Sequence, residues 1–233
     1  MRDLFHRAAN RLAALFMKLL FGLVARIQVL RSENAEESGA FLLASNHISH
    51  FDPFILSAVV RRKIDWMAMA EFFPYPVLGQ FLRAVDAFPA DRDRANRATI
   101  RSAIQRLRDG RIVGIFPEGG IRDGKNSILE GAMARSGVAA LADMAAVPVL
   151  PCVILGSDRL YSAKRWLPFR RTPIWIAFGD LIAADATLPK AGHRQRLEEE
   201  FINAVAALYR ELRERFSLAT EDLPHSPQSR MVE

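Results

Sequence analysis

Phe41-Leu42-Leu43-Ala44-Ser45-Asn46-His47-Ile48-Ser49-His50-Phe51-Asp52-Pro53 sets an apolar run against two imidazoles and a carboxylate, and closes on a proline. It reads as a strand ending near Ser45, a turn that carries His47, and a helix starting around Pro53, where proline suits the first helical position. Such a fold-back brings Asp52 beside the His47 ring. A neutral imidazole takes a proton from a hydroxyl near neutral pH, and a carboxylate on its other nitrogen fixes the tautomer and stabilises the imidazolium. His47 is therefore the candidate base and Asp52 its orienter. Asp52 is equally well placed to cap the helix, and the two roles are compatible. His47, His50 and Asp52 also form a ligand-rich group. The other histidines (His6, His193, His225) and the single Cys152 stand at no recognisable ligand spacing, so no metal is expected. Ser49 lacks the Gly-x-Ser-x-Gly elbow that exposes a nucleophile and reads as support for the turn.

Further along, Ile112-Val113-Gly114-Ile115-Phe116-Pro117-Glu118-Gly119-Gly120 reads as a buried strand running into a glycine loop. Small loop residues let a ligand approach the backbone, and Arg122 and Lys125 follow as cations able to hold a phosphate. An ordinary turn with solvated cations is the alternative. The whole chain alternates strands (41–45, 64–70, 112–116, 147–154, 173–178) with helices (53–62, 76–84, 93–109, 131–145, 191–216). That alternation predicts an α/β fold, a single layered domain with a mostly parallel sheet flanked by helices. Trp66, Met67, Met69, Phe72 and Phe73 read as core in preference to the lining of an acyl tunnel. Cys152, inside an apolar run, also reads as core.

Four ordered blocks resemble those of the glycerolipid acyltransferases. His47 to Asp52 has that family's His-x4-Asp spacing, and Phe116-Pro117-Glu118-Gly119 looks like its Phe-Pro-Glu-Gly block. Ala87-Phe88-Pro89-Ala90-Asp91-Arg92 resembles the second block, which ends in an acceptor-binding arginine, and Val147-Pro148-Val149-Leu150-Pro151 resembles the fourth. The likeness is strongest to the 1-acylglycerol-3-phosphate acyltransferases. It implies an enzyme of phospholipid biosynthesis that moves a fatty acyl group from acyl-CoA or acyl carrier protein to the free hydroxyl of 1-acylglycerol-3-phosphate. The product would be phosphatidic acid, with no acyl-enzyme and no cofactor besides the thioester co-substrate. At the matching positions His47 would deprotonate the acceptor and Asp52 would hold the ring. Arg92 would bind the phosphate, and Glu118, Gly119, Gly120 and Arg122 would shape the acceptor site. One departure stands out: where the family commonly continues Thr-Arg-Ser, this chain has Gly120-Ile121-Arg122. Ile121 occupies the place of a phosphate-contacting arginine, and a one-residue shift on an extended chain turns Arg122 to the other face. The same chemistry on another lysophospholipid or amphiphilic alcohol therefore stays open, as does a non-catalytic lipid-binding protein of the same fold.

The net charge of +6, a sequence pI near 10.0 and a hydrophobic share of 50% point to an anionic, apolar partner. Zinc-finger spacing and RNA-binding aromatic signatures are missing, so a phospholipid surface is expected and nucleic acid is not. From Leu4 to Leu30 apolar residues dominate, but Lys18 and Arg26 interrupt each window long enough to span a bilayer. Burying either at a helix centre costs roughly 2.5–3.5 kcal/mol. Residues 1–30 are thus expected to form an amphipathic interfacial helix, or a helical pair broken near Gly22, with packing on the domain's own core as the alternative. No signal-peptide cleavage pattern follows, and the family likeness implies peripheral or monotopic attachment to the cytoplasmic face of a membrane. Arg94, Arg97, Arg101 and Arg108 make a second basic stripe, either solvated or meeting head groups. In 155–172, Arg159, Tyr161, Lys164, Arg165, Trp166, Phe169 and Arg170 suit an interfacial loop or an ordinary surface loop. The acyltransferase domain is expected over 31–216, and the polar, proline-containing 217–233 is expected to fray.

Overall fold

The structure is a computed structural model that describes residues 12, 15–85, 87–90, 97–134, 137–167, 171–183 and 190–232. Seven strands form one sheet: β1 (Ala25–Leu30), β2 (Phe41–Ser45), β3 (Ile64–Met69), β4 (Phe88–Ala90), β5 (Ile112–Ile115), β6 (Val149–Leu155) and β7 (Thr172–Phe178). Their order is β1-β7-β6-β2-β5-β3-β4, and every neighbouring pair is parallel except β6 with β7. The central β2 and β6 are buried along their whole length, which is why they read as unbroken apolar runs. Leu42 and Ala44 face one core with Phe201 and Leu208, while Phe41 and Leu43 face a second core with Ile55 and Phe21.

On the first face lie α4 (Arg97–Arg108), α5 (Val138–Ala145) and α6 (Lys190–Arg215). Leu197, Phe201, Val205, Leu208 and Leu212 recur along α6 at helical spacing and are all buried. On the second face lie the helical residues 15–24, called α1, and α2 (Asp52–Val59). The short α3 (Pro76–Ala84) runs between β3 and β4. Among the described residues no helix is long and apolar enough to cross a membrane.

The amino-terminal expectation needs correction in two ways. Residues 25–30 form a strand because Arg26 and Gln28 alternate with Ile27 and Val29, a period of two that fits the free edge of β7. Gly22 lies inside the described helix and does not break it. Phe21 and Val24 of α1 are buried in the second core, whereas Leu15, Phe16, Leu19 and Leu23 are exposed. Residues 1–11, with Arg7 and Arg11, lie outside the described residues.

Residues 217–232 do not fray. Their 3-10 turn Thr220–Asp222 and helix α7 (Pro227–Val232) return to the body of the domain. Arg230 Nε donates to the buried Asp158 Oδ2 at 2.7 Å, and the Arg159 guanidinium pairs with Asp222. Composition alone sees a polar tail; the partners that hold it lie 72 and 63 residues away. The helix expected over 131–145 starts only at Val138, because Gly131 at φ +88° closes a 3-10 turn, Ile128–Glu130, in the left-handed region. The three-residue β4 is too short to show a period.

Gly114 decides how the second face packs. A Cβ there would lie 2.5 Å from Trp66 Cε3 and 2.8 Å from Ile64 Cγ2, so only glycine lets the indole lie across β5. We expect Gly114→Ala to lower stability by about 1–3 kcal/mol through overpacking, read as the urea midpoint. An unchanged midpoint would mean that the ring is not held against the strand.

Candidate active site

The loops that follow β6, β2 and β5 are three neighbours at the carboxyl ends of parallel strands, the edge at which open α/β sheets bind ligands. They bring Ser157, His47 and Glu118 together. Asp52, the first residue of α2, is fully buried. Its Oδ2 lies 2.9 Å from His47 Nδ1 and accepts the amides of Ile48 and Ser49, each at 2.8 Å. Its Oδ1 accepts the Ser157 hydroxyl at 2.5 Å. The carboxylate therefore serves the turn and the ring and does not cap its helix, whose N-cap, Phe51, has no side-chain hydrogen bond. With Nδ1 given to Asp52, Nε2 is the ring nitrogen left for a proton on a group in front of it.

Glu118 holds the other side of His47. Its Oε2 accepts the His47 amide at 2.6 Å, and its Oε1 accepts the Ser127 hydroxyl at 2.7 Å and the Ile128 amide at 2.9 Å. Burial pushes the Glu118 carboxyl above its ordinary range, with those three donors opposing. The Arg122 amide donates to the His47 carbonyl at 2.9 Å. The His47 ring stacks on Phe116 at 4.0 Å, and Phe116 stacks on Trp66 at 4.9 Å, the ring that Gly114 admits.

His47 opens onto a cavity of about 1750 Å³. Phe54, Trp66, Met67, Met69 and Phe72 wall it, so the expectation that Met69 and Phe72 are plain core is corrected: they are half-buried and face this space, whereas Trp66 and Met67 line it and also pack in or against the core. Gly119 at φ +64°, Gly120, Ile121 and Arg122 all line the cavity, so the shift of one residue does not turn Arg122 away; the segment is a loop without strand alternation. Glu118 is not among the lining residues and shapes the site from behind. Arg92 lies outside the described residues. Leu15, Met17 and Lys18 of α1 and Pro227 of α7 reach the same cavity.

His50, the candidate third ligand, has its Nδ1 2.5 Å from the Tyr161 hydroxyl, which also accepts the His50 amide at 3.0 Å. Among the described residues no group of three or more His, Cys, Asp and Glu is arranged to hold a metal. In the loop after β6, Tyr161, Arg159 and Trp166 turn inward, Trp166 Nε1 donating to the Leu160 carbonyl at 2.7 Å, while Lys164 and Leu167 are exposed. Phe169, Arg170 and Arg94 lie outside the described residues. Ser157 escapes a sequence reading because nothing local marks a serine 105 residues from its carboxylate. A cationic group at the amino ends of β3 and β5 was also not legible. Asp65, fully buried, takes Arg111 at 2.7 Å, with Lys63 3.7 Å and Arg106 3.8 Å away. Burial lowers the Lys63 ammonium to about 8 and raises the Asp65 carboxyl. Arg61, Arg62, Lys63 and Arg111 line the cavity there.

The sequence model of the acyltransferase family matches residues 26–155, more than half of the chain. The 1-acyl-sn-glycerol-3-phosphate acyltransferase of Bacillus subtilis (strain 168) is 29% identical over 141 residues, which span 60% of this chain and 68% of that protein. The lyso-ornithine lipid O-acyltransferase of Rhizobium meliloti (strain 1021) is 30% identical over 170 residues, 70% of this chain and 54% of that protein. The crystal structure of the 1-acyl-sn-glycerophosphate (LPA) acyltransferase from Thermotoga maritima superposes with a TM-score of 0.69. That likeness covers 94% of this chain and 85% of the other at 22% identity, and so concerns the fold.

Replacing Glu118 by glutamine would turn an amide donor toward the His47 N–H and leave a buried donor without an acceptor. We expect Glu118→Gln to destabilise the domain by about 1–3 kcal/mol in urea denaturation. Wild-type stability in that variant would contradict the pinning role.

Proposed function

The chain belongs to the acyltransferase family, and from that membership we propose that it transfers a fatty acyl group from a thioester to the free hydroxyl of 1-acylglycerol-3-phosphate, giving phosphatidic acid. The observation that carries this reading is a histidine backed by a fully buried carboxylate and facing a wide cavity with apolar walls and cationic borders.

In the proposed reaction the acceptor hydroxyl gives its proton to His47 Nε2 while its oxygen attacks the thioester carbonyl carbon. The tetrahedral intermediate collapses by breaking the carbon–sulfur bond, and the leaving thiolate takes the proton from the imidazolium. Asp52, held by its amide and hydroxyl donors, faces the ring and steadies its positive charge. The amides of Gly120 and Ile121 suit the oxyanion, since those of Gly119 and Arg122 donate to the Phe116 and His47 carbonyls. No acyl-enzyme is invoked: Ser49 and Cys152 are both fully buried, and burial raises the Cys152 thiol far above its ordinary range. Phe54, Trp66, Met67 and Phe72 offer apolar surface to acyl chains. Arg122 and Arg92 are the proposed cations for the acceptor phosphate, with acyl-CoA or acyl carrier protein as donor.

A second acceptor class is favoured by one observation: Ile121 lines the cavity where a phosphate-contacting arginine is usual. A relative named for lyso-ornithine lipid supports keeping that class in view. Turnover should be measured as thiol release from acyl-CoA and acyl carrier protein with lysophosphatidic acid, lysophosphatidylethanolamine and lyso-ornithine lipid. We expect lysophosphatidic acid to be used and His47→Ala to lose about 10²–10⁴-fold in kcat. Full activity in His47→Ala would overturn the mechanism, and turnover confined to another acceptor would move the substrate.

We further propose that the protein works at the cytoplasmic surface of a phospholipid membrane. Leu12, Leu15, Phe16, Leu19 and Leu23 present an apolar face at least half exposed, and Lys18, Arg61 and Arg62 line the same cavity as Leu15. Such a face with a basic surface suits interfacial binding to anionic lipid. Phe16→Glu with Leu19→Glu should weaken sedimentation with phosphatidylglycerol vesicles about tenfold or more. Unchanged vesicle binding would refute the anchor.

A further inference from the structure

We propose that Ser157 is a positioning residue for the His47–Asp52 pair and that the carboxyl-terminal segment 218–232 locks it in place. This rests on His47 being the base, and it adds two elements that none of the four sequence blocks contains.

The need for Ser157 follows from the geometry of Asp52. Three donors, His47 Nδ1 and the amides of Ile48 and Ser49, converge on Oδ2. All come from within five residues of Asp52 itself. Donors gathered on one oxygen leave the terminal carboxylate torsion soft, because an sp³–sp² bond has broad, roughly two-fold wells. Oδ1 is held from the opposite side by the Ser157 hydroxyl at 2.5 Å, at the end of another strand. That bond fixes the plane of the carboxylate, and with it the direction in which His47 is held. Both side chains are fully buried, so solvent does not take the place of the hydroxyl.

Ser157 is in turn set by a clamped turn. Gly156 sits at φ +85°, where a Cβ would lie 2.4 Å from the Pro173 carbonyl oxygen, so the chain leaves β6 through a bend that requires glycine. The next residues open the 3-10 turn Ser157–Tyr161. Asp158 Oδ2 accepts Arg230 Nε at 2.7 Å and the His225 amide at 3.1 Å. Arg159 Nη2 donates to the Glu221 carbonyl at 2.9 Å and pairs with Asp222. Arg230 Nη2 donates to the carbonyls of Glu221 at 3.0 Å and Leu223 at 3.1 Å. Tyr161, which ends the turn, bonds His50. Three consecutive side chains, Ser157, Asp158 and Arg159, thus tie the orienting carboxylate to the far end of the chain.

The test uses full-length protein with Ser157→Ala, Ser157→Thr and the paired replacement Asp158→Asn with Arg230→Met. The pair is changed together because removing one partner would strand a buried charge. Steady-state kcat and KM, the urea midpoint and the low-field NMR signal of the His47 ring N–H, assigned by its loss in His47→Ala, are read on each. Ser157→Ala should lower kcat about 10–100-fold, the size usual for a residue that orients a functional group, with KM changed less than about twofold. It should also shift the ring N–H signal. Ser157→Thr should restore both, and the paired replacement should lower kcat in the same direction. Wild-type kcat and an unmoved signal in Ser157→Ala would overturn the positioning role. Equal losses in the alanine and threonine variants that track the urea midpoint would reduce Ser157 to a packing residue. Wild-type kcat in the paired variant would remove the segment 218–232 from the proposal. If the unmodified protein turns over no acceptor, the proposed reaction fails by itself, and the NMR signal alone decides the role of Ser157.

Discussion

A carboxylate with no exposure to water has to be satisfied from within the protein, and at Asp52 that requirement organises the domain. Its donors come from the turn after β2, from a ring on that turn and from the end of β6. They meet only if β2 and β6 are neighbours in one direction with their ends level. Asn46 enforces this: its Nδ2 donates to the Ile154 carbonyl at 2.9 Å, and its Oδ1 accepts the Ile154 amide at 2.8 Å. One side chain thereby continues the sheet ladder one step past β2, at the point where the candidate base leaves the strand.

His47 is held at its amide, its carbonyl, Nδ1 and its ring face, which leaves Nε2 for the substrate. The amide is held by Glu118, the carbonyl by Arg122, the ring edge by Asp52 and the ring face by Phe116. Two buried carboxylates on opposite sides of one residue are costly unless each is fully engaged, and each accepts at least three hydrogen bonds. The space in front of the ring is roomy, apolar along the β3 side and cationic at its far border. A rigid proton acceptor facing such a volume suits an amphiphile whose reactive hydroxyl sits between an apolar tail and a charged head.

Both ends of the described chain return to the cavity that its middle builds. The α1 helix contributes Leu15, Met17 and Lys18, and α7 contributes Pro227. Arg31 ties the amino-terminal side to the sheet and to α6: its Nε donates to the Phe178 carbonyl at 2.8 Å, and its two amino groups meet Glu211 at 2.8 and 2.6 Å. The carboxyl-terminal side is tied by Asp158 and Arg230, which are both buried.

Local pattern was enough to determine the strand, turn and helix around His47, the pairing of that ring with Asp52, the glycine loop after β5 and the α/β class. Each depends on residues a few positions apart, and periodicity and steric preference act at that range. The tertiary structure alone decided the rest. It made residues 25–30 a strand, because only the open edge of β7 rewards their alternation over a longer helix. It sent Asp52 to the turn in place of its own helix end, and Glu118 behind the site. It gathered Trp66, Met67 and Phe72 around a cavity, and it recruited Ser157, Asp158 and Arg230 across separations of 105 and 72 residues. Buried hydrogen bonds and ion pairs are set by which loops the parallel sheet brings to one edge, and no local propensity encodes that meeting.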